Sequence, residues 1–130
     1  MSLLAVDLVL FASGAVAHMG VPIALGFVTW NETFLVPAAI VEGVAALALG
    51  AALISLLVEE GRWRGLPWWA LWYCFAGVLW GMSRLALGSI PAARTVSNDF
   101  LHIVMILVTT LALVRLAATR RTTGGPHDRS

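Results

Sequence analysis

Five side chains that could carry chemistry lie inside or beside long apolar stretches of this sequence. They are two imidazoles, two carboxylates and one guanidinium: His18, Glu42, Arg84, Asp99 and His102. A charged group in an apolar interior is costly, by at least about 2.5 kcal/mol where the surroundings are hydrocarbon. Each such residue therefore needs a pairing partner, a ligand or a role in proton transfer.

Helix geometry places three of these groups at one depth. At a rise of about 1.5 Å per residue, Glu42 lies roughly 8 Å beyond Pro37, where the second apolar run begins. Arg84 lies about one turn before the end of the third run, and His102 about one turn after the start of the fourth. We therefore expect Glu42, Arg84 and His102 to share one layer.

The two remaining groups depend on local structure. Pro22 removes a backbone donor and is predicted to kink or break the first run, which would bring His18 towards the same layer. Asp99 is three residues before His102 and shares its helix face, so it is placed at the rim of the pocket. A carboxylate in a first helical turn also suits the helix dipole, which is a sufficient structural reason for Asp99.

Three interpretations of this polar layer remain open. In the first, Glu42 pairs with Arg84 and the layer only fixes helix packing. In the second, His18, Glu42 and His102 bind a metal such as zinc or non-haem iron, or the two histidines are axial ligands of haem. In the third, the carboxylate and the histidines exchange protons with a quinone or a transported solute.

The composition requires a lipid environment for these elements. Only 12% of the 130 residues are charged and 60% are hydrophobic, and the mean hydropathy is +0.91. A soluble domain carries about 25% charged residues. The net charge of +1 gives no footprint for nucleic acid.

Four apolar runs are each long enough for a membrane-spanning helix of roughly 20 residues. We predict an all-α fold, a four-helix transmembrane bundle that occupies residues 1–118 and is followed by a disordered cytoplasmic tail at 119–130. The predicted helices cover approximately residues 3–29, 37–58, 66–87 and 98–118.

Charge and small residues orient the predicted bundle. Arginines are concentrated beside the second connector and the carboxyl terminus, so the positive-inside rule predicts that both termini are cytoplasmic. Asp7 then lies near the cytoplasmic end of the first helix, where it is expected to reach the interface or a partner. Gly77 and Gly81 form a Gly-xxx-Gly pair, which favours close helix packing in lipid.

Two segments resemble DoxX-like membrane proteins. The run Phe11 to His18 is similar to the Phe-x-x-x-Gly run of that family, and Pro37 to Gly43 resembles the start of its second helix, which carries a proline and then a glutamate. The resemblance implies a four-helix membrane subunit, in some members linked to quinone-dependent sulfur oxidation or redox stress. Of the pocket residues it carries over Glu42 alone, since the family more often has lysine at the position of His18.

The leading functional expectation is an accessory subunit of a redox or quinone-linked system in a bacterial or archaeal inner membrane. Its partners would be the lipid bilayer and other membrane subunits. One alternative is a proton-coupled transporter that acts as a homodimer packed on Gly77 and Gly81, and another is a structural membrane anchor. The cofactor expectation remains open between quinone, metal and haem, and enzyme activity is not decided by the sequence.

Overall fold

A computed structural model of the protein describes residues 1–24, 26, 29–58, 65–89 and 95–123, with backbone alone at 121–123. These residues form an all-helical fold with four helices and one short hairpin. The elements are α1 (Ser2–Ala17), β1 (Ile23–Ala24), β2 (Thr29–Trp30), α2 (Val36–Leu57), α3 (Leu66–Ala86) and α4 (Val96–Thr123).

The helices pack in chain order around one core. Each helix contacts the next along the chain, and α1 also packs against α4. The core contains small side chains such as Ala45 and Ala52 beside larger ones such as Phe11, Leu71 and Met105, all at most 1% exposed. Alanines at helix contacts let the backbones approach closely, as in membrane bundles.

The prediction that the first helix covers residues 3–29 is wrong. Helix α1 ends at Ala17, and Gly20 follows with a φ of 81°, which a residue with a side chain rarely adopts. Pro22 comes next, in a position where it could not have continued the helical hydrogen bonds. The chain instead turns into an antiparallel hairpin that pairs Ile23 with Trp30.

The other helices lie close to their predicted bounds. Helix α2 begins and ends one residue earlier than the predicted 37–58, and α3 ends one residue earlier than the predicted 66–87. Helix α4 runs to Thr123, so the prediction of disorder is wrong for 119–123, while 124–130 lie outside the described residues. No glycine or proline interrupts α4 before Gly124, which explains the extension.

Two described helices are long and apolar enough to cross a membrane, namely α2 and residues 96–120 of α4. Helix α1 is apolar but has only 16 residues. Helix α3 has 21 residues, and its tryptophans and Arg84 lower its hydropathy. The arginines at 62, 64, 94 and 129, on which the predicted orientation partly depends, lie outside the described residues.

The two glycines of the Gly-xxx-Gly pair differ in their surroundings. A methyl group at Gly77 would lie 3.3 Å from Cγ1 of Val41, so Gly77 allows α2 and α3 to approach. A methyl group at Gly81 would meet no atom within 4 Å among the described residues. The predicted packing role thus fits Gly77, where it operates within the chain, and not Gly81.

Candidate metal centre

Three side chains from three parts of the chain converge on one point. Nε2 of His18 and Nε2 of His102 each lie 3.6 Å from the same atom, Oε1 of Glu42. One ligand atom from each residue can be chosen so that all three lie within 4.8 Å of one another. These are the three residues that the sequence suggested as a metal set.

One candidate ligand lies at the end of a helix, and the other two lie within helices. His18 is the C-cap residue of α1, and its carbonyl accepts a hydrogen bond from the amide of Leu35 at 3.0 Å. That bond ties the end of α1 to the residue before α2. Glu42 follows in the second turn of α2, and His102 lies in the second turn of α4. Ending α1 at Ala17 therefore places His18 at the depth of the other two.

Nδ1, the ring nitrogen that does not face Glu42, faces a backbone carbonyl in both histidines. Nδ1 of His102 lies 2.8 Å from the carbonyl oxygen of Asn98, and Nδ1 of His18 lies 3.4 Å from that of Thr33. With the proton on Nδ1, both rings present the lone pair of Nε2 to Glu42. Histidines that bind metals are usually oriented by such a bond from the other nitrogen.

The distances among the three groups suit a shared cation better than direct hydrogen bonds. A separation of 3.6 Å is too long for a hydrogen bond between Nε2 and a carboxylate. Two ligands at about 2.1 Å from one metal, at tetrahedral to trigonal angles, are about 3.4 to 3.6 Å apart. Two imidazoles and one carboxylate are also a donor set that zinc and non-haem iron accept.

Gly14 makes room for the carboxylate. A methyl group at this position would lie 2.5 Å from Oε2 of Glu42 and 3.1 Å from the indole of Trp30. Oε2 itself is buried and has no hydrogen-bond partner among the described residues. The carboxylate is therefore packed directly against the backbone of α1, and one of its oxygens remains available.

A second carboxylate lies in the same region and was missed by the sequence analysis. Glu32 is 8% exposed and accepts a hydrogen bond from the indole nitrogen of Trp30. With the Asn98 amide oriented so that its nitrogen faces acceptors, that nitrogen lies 2.6 and 3.0 Å from the two oxygens of Glu32. Asn98 thus joins Glu32 to the turn of α4 whose backbone carbonyl faces Nδ1 of His102.

Glu32 was missed because it lies in the connector between the first two predicted helices, outside the apolar runs. The hairpin that buries Trp30 at 0% exposure is too short to show a strand pattern. Asn98 is the first residue of the predicted fourth helix, and that position alone does not indicate a pocket. The one available signal was the order of residue types, an indole followed two residues later by a carboxylate.

The electrostatics of the site favour a cation beside Glu42. Burial lowers the pKa of His18, but the carboxylate of Glu42, the Thr33 carbonyl and Glu32 together raise it by more. The pKa of His18 is therefore raised. The same negative charge of Glu42 and Glu32 would stabilise a bound metal ion.

A cavity of about 360 Å³ opens beside the three residues and contains Arg84 in its wall. Its walls are mainly apolar and come from all four helices and the segment before α2. Arg84 lies with its guanidinium 5.8 Å from the ring centre of Trp80. The volume is at the lower end of the range for small-molecule sites, which is about 300–1,000 Å³.

Of the two remaining residues of the predicted pocket, the structure places one in the cavity and not the other. Arg84 belongs to the same cavity, but no ion pair within 4.0 Å joins it to Glu42, so the proposed Glu42–Arg84 pair is wrong for these two described residues. Asp99 lies in the first turn of α4 and is not among the cavity-lining residues. Its position matches the capping interpretation.

The geometry does not suit haem. The ring centres of His18 and His102 are 6.4 Å apart, but Oε1 of Glu42 is equally close to both Nε2 atoms. The carboxylate thus competes for the space between the rings in which a porphyrin iron would sit. Of the two metal-containing cofactors suggested by the sequence, a single metal ion fits the described residues better than haem.

Asp7 lies apart from this centre. It is 0% exposed, and its Oδ1 accepts a hydrogen bond of 3.1 Å from Thr109 on α4. Of the two expected outcomes for Asp7, the interface or a partner, the structure shows a partner. The contact between α1 and α4 buries Asp7.

Comparison with known proteins adds no relative from which a function could be transferred. The resemblance to DoxX-like proteins stays a prediction, and the functional argument depends on the site geometry. No family model, no curated protein and no solved structure matches this chain.

Proposed function

We propose that this chain is a multi-pass membrane protein that binds one divalent metal ion, zinc or iron, through His18, Glu42 and His102. The observation that carries the proposal is the convergence of two Nε2 atoms on one carboxylate oxygen at 3.6 Å, with both Nδ1 atoms facing backbone carbonyls. Three protein ligands leave at least one coordination position for water or a substrate, as in catalytic metal sites.

The exposed apolar surface supports a membrane location. Large hydrophobic side chains of α2 and α4 project outward, among them Leu47 at 77%, Ile54 at 61% and Leu107 at 63% exposure. Such an outer surface is stable in lipid and unfavourable in water. We place four spans in the membrane, with both termini cytoplasmic and the metal centre near the opposite face.

Within this frame the protein would serve a redox or quinone-linked membrane system as a metal-bearing accessory subunit. Iron would supply electron transfer, and zinc would polarise a bound oxygen atom. The chain's own contribution is the fixed ring orientation, the close packing of Glu42 on Gly14 and a mainly apolar cavity beside the open position.

The alternatives have less support from the described residues. A purely structural layer was based on a Glu42–Arg84 pair, which is not formed. A transporter that dimerises on Gly77 and Gly81 loses part of its interface, because Gly77 contacts Val41 of the same chain. A proton-linked pocket without metal uses the same three residues and is the main competitor.

Metal stoichiometry tests the proposal. The protein purified in a mild non-ionic detergent is analysed by inductively coupled plasma mass spectrometry beside His18→Ala, His102→Ala and His127→Ala. We expect close to one metal ion per chain in the wild type and in His127→Ala, and less than about a tenth of that in the other two variants. His127, the third histidine, lies outside the described residues and controls for metal bound by any imidazole.

A folding control accompanies this measurement. Circular dichroism and size-exclusion chromatography show whether each variant keeps its helical content and its size in detergent. Absence of metal from a folded wild type, even after incubation with zinc or iron(II), would overturn the proposal and leave the proton-linked pocket.

A further inference from the structure

Arg84 lies in the wall of a largely apolar cavity. It makes no ion pair with any described residue. Its Nε is buried and has no hydrogen-bond partner among the described residues, and its guanidinium lies 5.8 Å from the ring centre of Trp80. A buried donor that is left unsatisfied costs about 1–3 kcal/mol, and more when the group is charged. A ligand that accepts a hydrogen bond and carries negative charge would remove that cost.

The space next to Arg84 is suited to an apolar body. At Gly81, one turn before Arg84 on α3, a methyl group would meet no atom of the described residues within 4 Å. Val41, Val78 and Leu85 line the same cavity. The part of a ligand that packs against these residues must therefore be apolar, and the part that reaches Arg84 can carry negative charge.

We propose that this cavity binds a small molecule with an apolar body and one oxyanion, and that Arg84 binds the oxyanion. The planar guanidinium forms paired hydrogen bonds with carboxylate or phosphate oxygens, and both groups are recognised by arginine in this way. The inference extends the proposed function, because the same ligand would lie beside the open position of the metal ion.

The carboxylate of a free organic acid and the phosphate of a lipid headgroup share this chemistry. Benzoate represents the first source and phenyl phosphate the second, and both are soluble enough to be titrated in detergent. Benzamide has the shape of benzoate without the charge and is the matched control. Binding is followed by tryptophan fluorescence, since Trp80 lies next to Arg84.

The titrations use the full chain after chelation, so that metal cannot supply the binding. We expect saturable binding of benzoate or phenyl phosphate, and at least about tenfold weaker binding of benzamide. The anion that binds more tightly identifies the source: benzoate indicates a free organic acid, and phenyl phosphate a lipid phosphate. Arg84→Gln should weaken anion binding at least about tenfold, and Arg84→Lys should lose less because it keeps the charge.

Metal content separates this inference from the proposed function. Arg84→Gln should still take up metal as the wild type does, which also shows that the variant is folded. Equal affinity for benzamide and benzoate, or unchanged anion binding in Arg84→Gln, would overturn the inference even if the metal centre is real. A wild-type protein that takes up no metal, but binds the anion in a way that Arg84→Gln weakens, would instead reject the proposed function and leave the oxyanion site standing.

Discussion

At the scale of single residues, the site depends on one carboxylate that two imidazoles face at equal distance. Glu42 can occupy that position only because residue 14 has no side chain. The sequence identified the three candidate ligands, because histidine and glutamate are conspicuous in apolar runs. It could not identify Gly14 as their support, since a glycine in a small-residue segment has many explanations.

The first prediction concerns this support. In Gly14→Ala the new methyl group must displace Oε2 of Glu42, so we expect metal affinity to fall by about 10–100-fold, the usual effect of changing a residue that orients a metal ligand. Gly43→Ala is the matched control, because a methyl group there meets no described atom within 4 Å. Zinc affinity is measured by competition with a chromophoric chelator. Equal affinities in the two variants would contradict the packing argument.

The second prediction concerns pH. Protons and metal compete for His18, and the Glu42 carboxylate raises the pKa of His18 above its usual value of about 6.5. Metal affinity should therefore rise with pH and should already decline on acidification at a pH above 6.5. Titration at several pH values measures this dependence. His18→Gln should bind metal weakly and with a shallower pH dependence, and an affinity that rises on acidification would contradict the ligand assignment.

The third prediction concerns Asp7, which is unrelated to the metal. Thr109→Val removes the donor to a buried oxygen and should lower the free energy of unfolding by about 1–3 kcal/mol. Asp7→Asn keeps an oxygen that can accept that bond and removes a buried carboxyl group, so its cost should be smaller. Thermal unfolding in detergent compares the two, and both should retain full metal content. A larger loss in Asp7→Asn than in Thr109→Val would show that Asp7 has an interaction beyond Thr109.

At the scale of secondary structure, the early end of α1 determines the site. If α1 continued through Pro22, His18 would lie deeper in the bundle than Glu42 and His102. The sequence predicted that a break near Pro22 would bring His18 towards Glu42 and His102. It did not predict the residue at which α1 ends, because Gly20 and a hairpin of two residue pairs give no periodic signal. The starts of α2 and α3 were predictable because each helix has a proline in its first two positions.

The fourth prediction compares the two glycines of α3. Alanine is favoured over glycine within a helix by up to about 1 kcal/mol. Gly81→Ala should gain most of this stability, because its methyl group meets no described atom within 4 Å. Gly77→Ala should gain less or lose stability, since Val41 at 3.3 Å must move. Equal thermal shifts for the two variants, measured in the same detergent, would contradict the described contact between α2 and α3.

At the scale of the whole molecule, the fold is a ring of four helices with its polar groups concentrated where α1 ends and α2 and α4 begin. The sequence predicted the number of helices from the apolar runs. It could not show which faces meet, because alanine and leucine occur on every side of α2 and α4. Ala45 and Leu49 are 0% exposed, whereas Leu47 is 77% exposed. Residue type alone therefore does not predict which residues of α2 are buried.

The fifth prediction tests the proposed orientation in the membrane. Single cysteines are introduced at Ser2, Asn31, Ser89 and Ser130 in a Cys74→Ala background and treated with a membrane-impermeant maleimide in intact cells. Four spans with cytoplasmic termini predict labelling at positions 31 and 89, and protection at 2 and 130 until the cells are lysed. Labelling of only one terminus in intact cells would require an odd number of spans and would contradict this orientation.

X-ray absorption spectroscopy at the edge of the bound metal tests the central claim most directly, because it reports the ligands themselves. For the wild-type protein we expect two imidazole ligands at about 2.0–2.1 Å together with oxygen ligands at a similar distance. One imidazole should disappear in His102→Ala loaded with excess metal. A spectrum with no imidazole contribution, or one that is unchanged in His102→Ala, would contradict the assignment of His18, Glu42 and His102 as a metal centre.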